Sequence, residues 1–136
     1  MIRKFPNPLN AMLVLLLLVS CLEDDSEDLL NERDVFLGAW NVTESCSKDS
    51  YSVQIIEDPS NSSQVLINNF WNTGNCGNSV YGIVAGSSIY LPVQFFCSGD
   101  FKVDGSGEMI KDKINWTYSV NDGADLHNCS ATYVRP

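Results

Sequence analysis

Val80-Tyr81-Gly82-Ile83-Val84-Ala85-Gly86-Ser87-Ser88-Ile89-Tyr90-Leu91 is the stretch on which the fold turns. Two segments of alternating apolar residues flank Ala85-Gly86-Ser87-Ser88, and Gly86 at the first central position suits a two-residue type II′ hairpin loop. In an antiparallel pair the numbers of facing residues have a constant sum, and a hairpin centred between Gly86 and Ser87 sets that sum at 173. Cys76 and Cys97 also sum to 173. The turn and the two cysteines therefore indicate one register by independent routes.

Working outward, period-2 alternation recurs in segments near 38–46, 51–57, 64–70, 79–85, 88–95, 100–110, 113–120 and 129–135. Turn chemistry separates them, as in Ser47-Lys48-Asp49-Ser50, Asp58-Pro59-Ser60-Asn61 and Asn121-Asp122-Gly123. Only Leu29–Phe36 hints at a helical period. Eight short strands with short connections imply an up-and-down antiparallel meander. Such a sheet buries its apolar face by stacking or by closing on itself, and closure also removes exposed edges. The expectation over residues 35–136 is one all-β domain, a small eight-stranded antiparallel barrel with two disulfides.

Ahead of it, Arg3 and Lys4 precede the apolar run Ala11–Val19. As a helix that run would span about 14 Å, too short for a hydrocarbon core of about 30 Å, so residues 1–20 read as a signal peptide. Leu18-Val19-Ser20-Cys21 resembles the lipobox of bacterial lipoproteins. That resemblance implies a lipid thioether on the Cys21 sulfur, cleavage before Cys21 and a membrane as partner through the anchor. At about 0.8 kcal/mol per buried CH₂, one acyl chain binds only marginally and several bind stably. Residues 21–34 carry seven acids, Glu23, Asp24, Asp25, Glu27, Asp28, Glu32 and Asp34, against Arg33, as a solvated, extended tether would. The run resembles the acidic export signal of surface-displayed lipoproteins in one branch of Gram-negative bacteria, which implies an outer-membrane protein facing the cell surface.

The whole chain has a net charge of −9, and all 17 acids follow Cys21 with only six bases. Nucleic acid is excluded as a partner on that balance. With Cys21 lipidated, Cys46, Cys76, Cys97 and Cys129 remain, an even number in an exported chain, and three connectivities can be drawn. No pair has the close spacing of a zinc site. The hairpin register selects Cys76–Cys97, which leaves Cys46–Cys129. The latter pair sums to 175, so the first and last strands become neighbours and the barrel closes. Val42 then faces Tyr133, and Trp40 faces Arg135.

Gly38-x-Trp40 opens the first strand, followed by GAWNVTESC (38–46), YSVQI (51–55), VLINNF (65–70), IYLP (89–92) and CSATY (129–133). The pattern resembles small bacterial lipoproteins with lipocalin-like, calycin-type domains. It implies a barrel, small-ligand binding and a Trp–Arg stack closing one end, with Gly38, Trp40 and Arg135 as structural residues. Strands of seven to ten residues leave little room for a deep cup.

No sequence pattern for metal hydrolysis, acyl transfer or nucleotide binding is present. His127 lacks a free nucleophile beside it and reads as a strand-end residue. Glu44 shares the face of Trp40, Val42 and Cys46, where a buried carboxylate is costly unless paired. Asn68-Asn69-Phe70-Trp71-Asn72-Thr73-Gly74-Asn75 interleaves aromatic and amide side chains, with Asn69, Phe70, Trp71 and Asn72 as the candidate ligand-binding residues, for a glycan; the competing reading makes Phe70 and Trp71 a plug in the barrel end. The expectation is a lipid-anchored binding or structural module without cofactor, metal or catalytic residue. A small apolar ligand in the barrel, or glycan hydrolysis by paired carboxylates, are the alternatives.

Overall fold

The computed structural model describes residues 31–136, so Cys21, the signal-peptide stretch and most of the acidic segment lie outside the described residues. Eight strands follow one another: β1 (Gly38–Glu44), β2 (Tyr51–Glu57), β3 (Gln64–Asn68), β4 (Val80–Ala85), β5 (Ser88–Phe96), β6 (Phe101–Ile110), β7 (Lys113–Asn121) and β8 (Leu126–Val134). Each pairs antiparallel with the next, and β8 returns to β1, giving a closed up-and-down barrel. β3 stops at Asn68 because Asn69 adopts φ 62°. β8 starts earlier than its alternation suggests, at Leu126 facing Asn121, because the intervening turn is tightened by Asp122 accepting from the amides of Ala124 and Asp125.

Both registers follow the cysteine arithmetic. Ile83 faces Tyr90 and Ala85 faces Ser88 across the β4–β5 turn, while Val42 faces Tyr133 and Glu44 faces Ala131 where β1 meets β8. Disulfides join Cys46 to Cys129 and Cys76 to Cys97. The β4–β5 ladder nevertheless ends at Ile83 paired with Tyr90, since Pro92, which the same register sets opposite Tyr81 just beyond Gly82 and Leu91, has no N–H to donate. A one-residue bulge on β5 between Leu91 and Gln94 follows. The bulge turns Gln94 inward, where its side chain accepts from the Tyr81 amide at 2.9 Å and donates to the Tyr81 carbonyl at 2.8 Å. One side-chain amide thus stands in for the missing strand pair.

The interior is filled by Trp40, Trp116, Tyr133, Phe70, Phe96 and the aliphatic side chains between them, all essentially inaccessible. Gly107 makes room for this packing, since a Cβ there would lie 2.6 Å from the Trp116 ring. One end is sealed by the incoming chain. Phe36 is fully buried, and its carbonyl accepts from the Trp40 indole at 2.8 Å. The Arg135 guanidinium lies 3.7 Å from the Trp40 ring centroid and donates to the carbonyls of Leu37 and Val35. Gly38 is required beside it, with φ 109° and Arg135 Nη1 only 2.8 Å from where a Cβ would sit.

The segment expected as tether up to residue 34 is docked from Asn31 onward. Turns run from Glu32 to Phe36 in place of a helix. Arg33, 7% exposed, points Nη1 at the carbonyls of Asp58, Asn61 and Gln64, and the Glu32 carboxylate accepts from the Gly86 amide at 2.9 Å. A guanidinium among backbone carbonyls is held by charge-assisted hydrogen bonds that a mobile tether could not supply.

Candidate functional site at the open end

Opposite the sealed end lie the β1–β2, β3–β4, β5–β6 and β7–β8 connections, of which β3–β4 (69–79) is the longest. It folds back over the barrel mouth. Phe70 inserts into the interior, 2% exposed, with its ring 5.0 Å from Tyr118 and 5.7 Å from Phe96. Trp71 is half-buried on the rim, 5.4 Å from Phe101 and 5.3 Å from His127 between ring centroids. Phe70 therefore plugs the mouth and Trp71 braces the plug from the side.

The lid is held in an unusual backbone. Asn69, Trp71 and Asn72 all have positive φ, as do Cys97 and Ser98 beneath them. For a side chain as bulky as Trp this costs on the order of 1–3 kcal/mol. The surroundings hold it there: the Asn69 amide donates to the Ser52 carbonyl and accepts from the Gly74 amide, both at 2.7 Å. Thr73 Oγ1 donates to the Phe70 carbonyl, and the Cys76–Cys97 bond ties the far side of the lid to the β5–β6 turn.

Beneath the lid lies a carboxylate–phenol cluster. Glu44 is 6% exposed and accepts a hydrogen bond from Tyr118 Oη. Tyr51 lies beside the same carboxylate, but its hydroxyl, like that of Tyr133 and the Trp116 indole N–H, has no hydrogen-bond partner among the described residues. Burial pushes the phenols of Tyr51, Tyr118 and Tyr133 far above the ordinary tyrosine range, and the neighbouring Glu44 adds to the shift. All three stay neutral at any physiological pH, and Tyr118 is the one that donates to the carboxylate. Glu44 is the only acid among the buried described residues.

A cavity of about 430 Å³ opens between the lid and the ends of β3 and β4. Phe70 and Phe96 contribute to its floor, and Asn68, Thr73, Asn75, Asn78 and Ser79 to its wall. None of its lining residues is charged. Asn78 is committed to holding the lid base, donating to the Phe95 carbonyl and accepting from the Ser98 amide. Asn68 accepts from Ser79 Oγ, which leaves its Nδ2 donors and the whole Asn75 amide for a ligand.

Of the candidate ligand-binding residues, Asn69 and Phe70 line this cavity, whereas Trp71 and Asn72 do not. Asn69 is committed to the lid backbone, Phe70 to the barrel interior. Asn68, Thr73 and Asn75 of the same aromatic–amide stretch also line the cavity, whereas Asn78 lies beyond that stretch and was missed, because its convergence depends on the loop doubling back to the Cys76–Cys97 bond. His127 meets Asp122, Nε2 to Oδ2 at 2.9 Å. Among the described residues no group of three or more His, Cys, Asp or Glu side chains could hold a metal ion.

Compared with protein families, curated proteins and solved structures, the chain matches none.

Proposed function

We propose that this chain is a lipid-anchored outer-membrane protein, displayed at the cell surface, whose barrel is a rigid binding module for an uncharged, hydroxyl-rich ligand such as a short glycan. The observation that carries the ligand class is the uncharged cavity walled by amide and hydroxyl side chains. Its volume of about 430 Å³ is at the lower end of ligand pockets, which run from about 300 to 1,000 Å³. Amides offer a donor and an acceptor each, matching hydroxyl groups without the desolvation that a charged side chain would incur. The resemblance of residues 18–21 to a lipobox supports anchoring, and two disulfides suit an oxidising compartment.

Two other readings have less behind them. An apolar ligand would need interior space that Trp40, Trp116, Phe70 and Tyr133 fill. A glycan hydrolase would need a second carboxylate about 5–9 Å from the first, and Glu44 has phenols as its buried neighbours.

Two measurements test the proposal. Cys21→Ser should abolish lipid labelling and convert stable anchoring into reversible membrane association that dilution reverses; persistent acylated, stably membrane-bound protein would refute anchoring. A screen of neutral oligosaccharides by NMR should perturb the Asn68 and Asn75 amides, and Asn75→Ala should weaken binding about tenfold while leaving stability unchanged. A screen in which no neutral oligosaccharide moves those resonances would refute the ligand class.

A further inference from the structure

We propose that the outer face of β3–β5, with the adjoining edge of β2, is a docking surface for the lipid bilayer that carries the anchor. The inference rests on the anchoring reading above, and adds an orientation to it. In a chain with net charge −9, the three consecutive strands β3, β4 and β5 contain no charged residue at all. Their outward side chains are largely apolar and lie in register. Ile56 faces Leu66, Leu66 faces Tyr81, and Ile83 faces Tyr90. The β5 bulge shifts the parity of the strand end, so that Val93 and Phe95 point outward as Tyr90 does. Tyr90, Val93 and Phe95 are 56%, 61% and 60% exposed, and Lys102 sits over the Phe95 ring at 5.9 Å. Aromatic and aliphatic side chains with a flanking lysine suit the headgroup–acyl boundary, and a contiguous exposed apolar patch marks a contact surface.

The path of the chain selects the bilayer as occupant. Glu32 is pinned to the β4–β5 turn and Arg33 to the β2–β3 turn. The polypeptide therefore leaves the barrel at the edge of this same face. Cys21 stands ten residues before Asn31, a reach of at most about 35 Å. A lipid on Cys21 thus holds the uncharged face within reach of the bilayer, while the charged strand β6 flanks it on the side away from β4.

The test uses the full chain. With membranes carrying the anchored protein, acylation of Lys102 should be protected at least about fivefold relative to Lys48, and detergent should remove the protection. Unlipidated full-length Cys21→Ser should partition onto neutral phosphatidylcholine vesicles independently of salt, and adding Tyr90→Ser with Phe95→Ser should reduce that partitioning at least about tenfold. Equal reactivity of Lys102 and Lys48 on membranes, or vesicle binding unchanged by the two substitutions, would overturn the proposal. So would concentration-dependent dimerisation without lipid that those substitutions abolish, since a second copy would then cover the face. Lack of lipid on the wild-type protein would instead refute the anchoring reading, and the vesicle measurement would still decide the face.

Discussion

Gln94 offers the sharpest test of how the barrel is held together, because a single side chain completes a ladder that the backbone cannot. Replacing it by Leu keeps the volume and removes both hydrogen bonds to Tyr81. Each such bond contributes about 1 kcal/mol net, and stranding a buried partner costs about 1–3 kcal/mol. Tyr81 is half-buried, so water recovers part of that loss, and the expected destabilisation is about 2–3 kcal/mol. With a urea m-value of about 1–3 kcal/mol/M, the unfolding midpoint should fall by about 0.7–3 M. Gln94→Glu should not rescue it, because a carboxylate still accepts from the Tyr81 amide but sets an oxygen against the Tyr81 carbonyl. Urea unfolding followed by tryptophan fluorescence gives the magnitude, and hydrogen exchange at the Tyr81 amide gives the location. A Gln94→Leu variant within about 0.5 kcal/mol of wild type, with Tyr81 exchange unchanged, would refute the side-chain ladder.

Other outcomes follow from the same geometry. Gly38→Ala should cost about 1–3 kcal/mol through its positive φ and the displaced guanidinium, and combined with Arg135→Ala it should cost less than the sum of the two, as a double-mutant cycle in urea would show. In the chain-entropy account, removing Cys46–Cys129, with a separation of 83, should cost about 4.5 kcal/mol, against about 3.3 for Cys76–Cys97, with a separation of 21; unfolding of the two double-serine variants ranks them, and the reverse order would count against the closed-barrel role of the first. Hydrogen bonds from the Asp125 and Ala124 amides and His127 hold the Asp122 carboxyl down to about 2. A depressed folded-state value means its stabilisation is present above about pH 4 and lost as pH falls towards 2. The difference in urea midpoint between wild type and Asp122→Asn should therefore shrink over that window, and a difference undiminished at about pH 2 would assign it to something other than the carboxylate.

Legibility from sequence differed sharply between fold and site. The barrel was readable because period-2 alternation and turn residues are local signals, and because a disulfide and a tight turn on one hairpin must obey the same arithmetic. Glu44 could be placed on the interior face by parity alone. Its partner Tyr118 could not, since it lies 74 residues away and no local pattern marks a phenol as donor to a particular carboxylate. Phe70 and Trp71 were distinguishable as an aromatic pair, but which of them turned inward depended on the left-handed backbone at Asn69 and Trp71. The cavity amides Asn68 and Asn75 converge only because the lid doubles back to its disulfide.

By itself, then, the sequence determined the strand order, the register and both disulfides, because alternation, turn chemistry and covalent pairing constrain facing residues one by one along the chain. Tertiary structure alone decided what the ends and faces became. Pro92 broke the ladder and left Gln94 to close it, the resulting bulge turned Val93 and Phe95 outward, and Arg33 converted the end of an acidic run into a clamp on three carbonyls. Each of these depends on a hydrogen-bond partner or a change of parity supplied by a distant strand, and such a partner has no signature in the residues beside it.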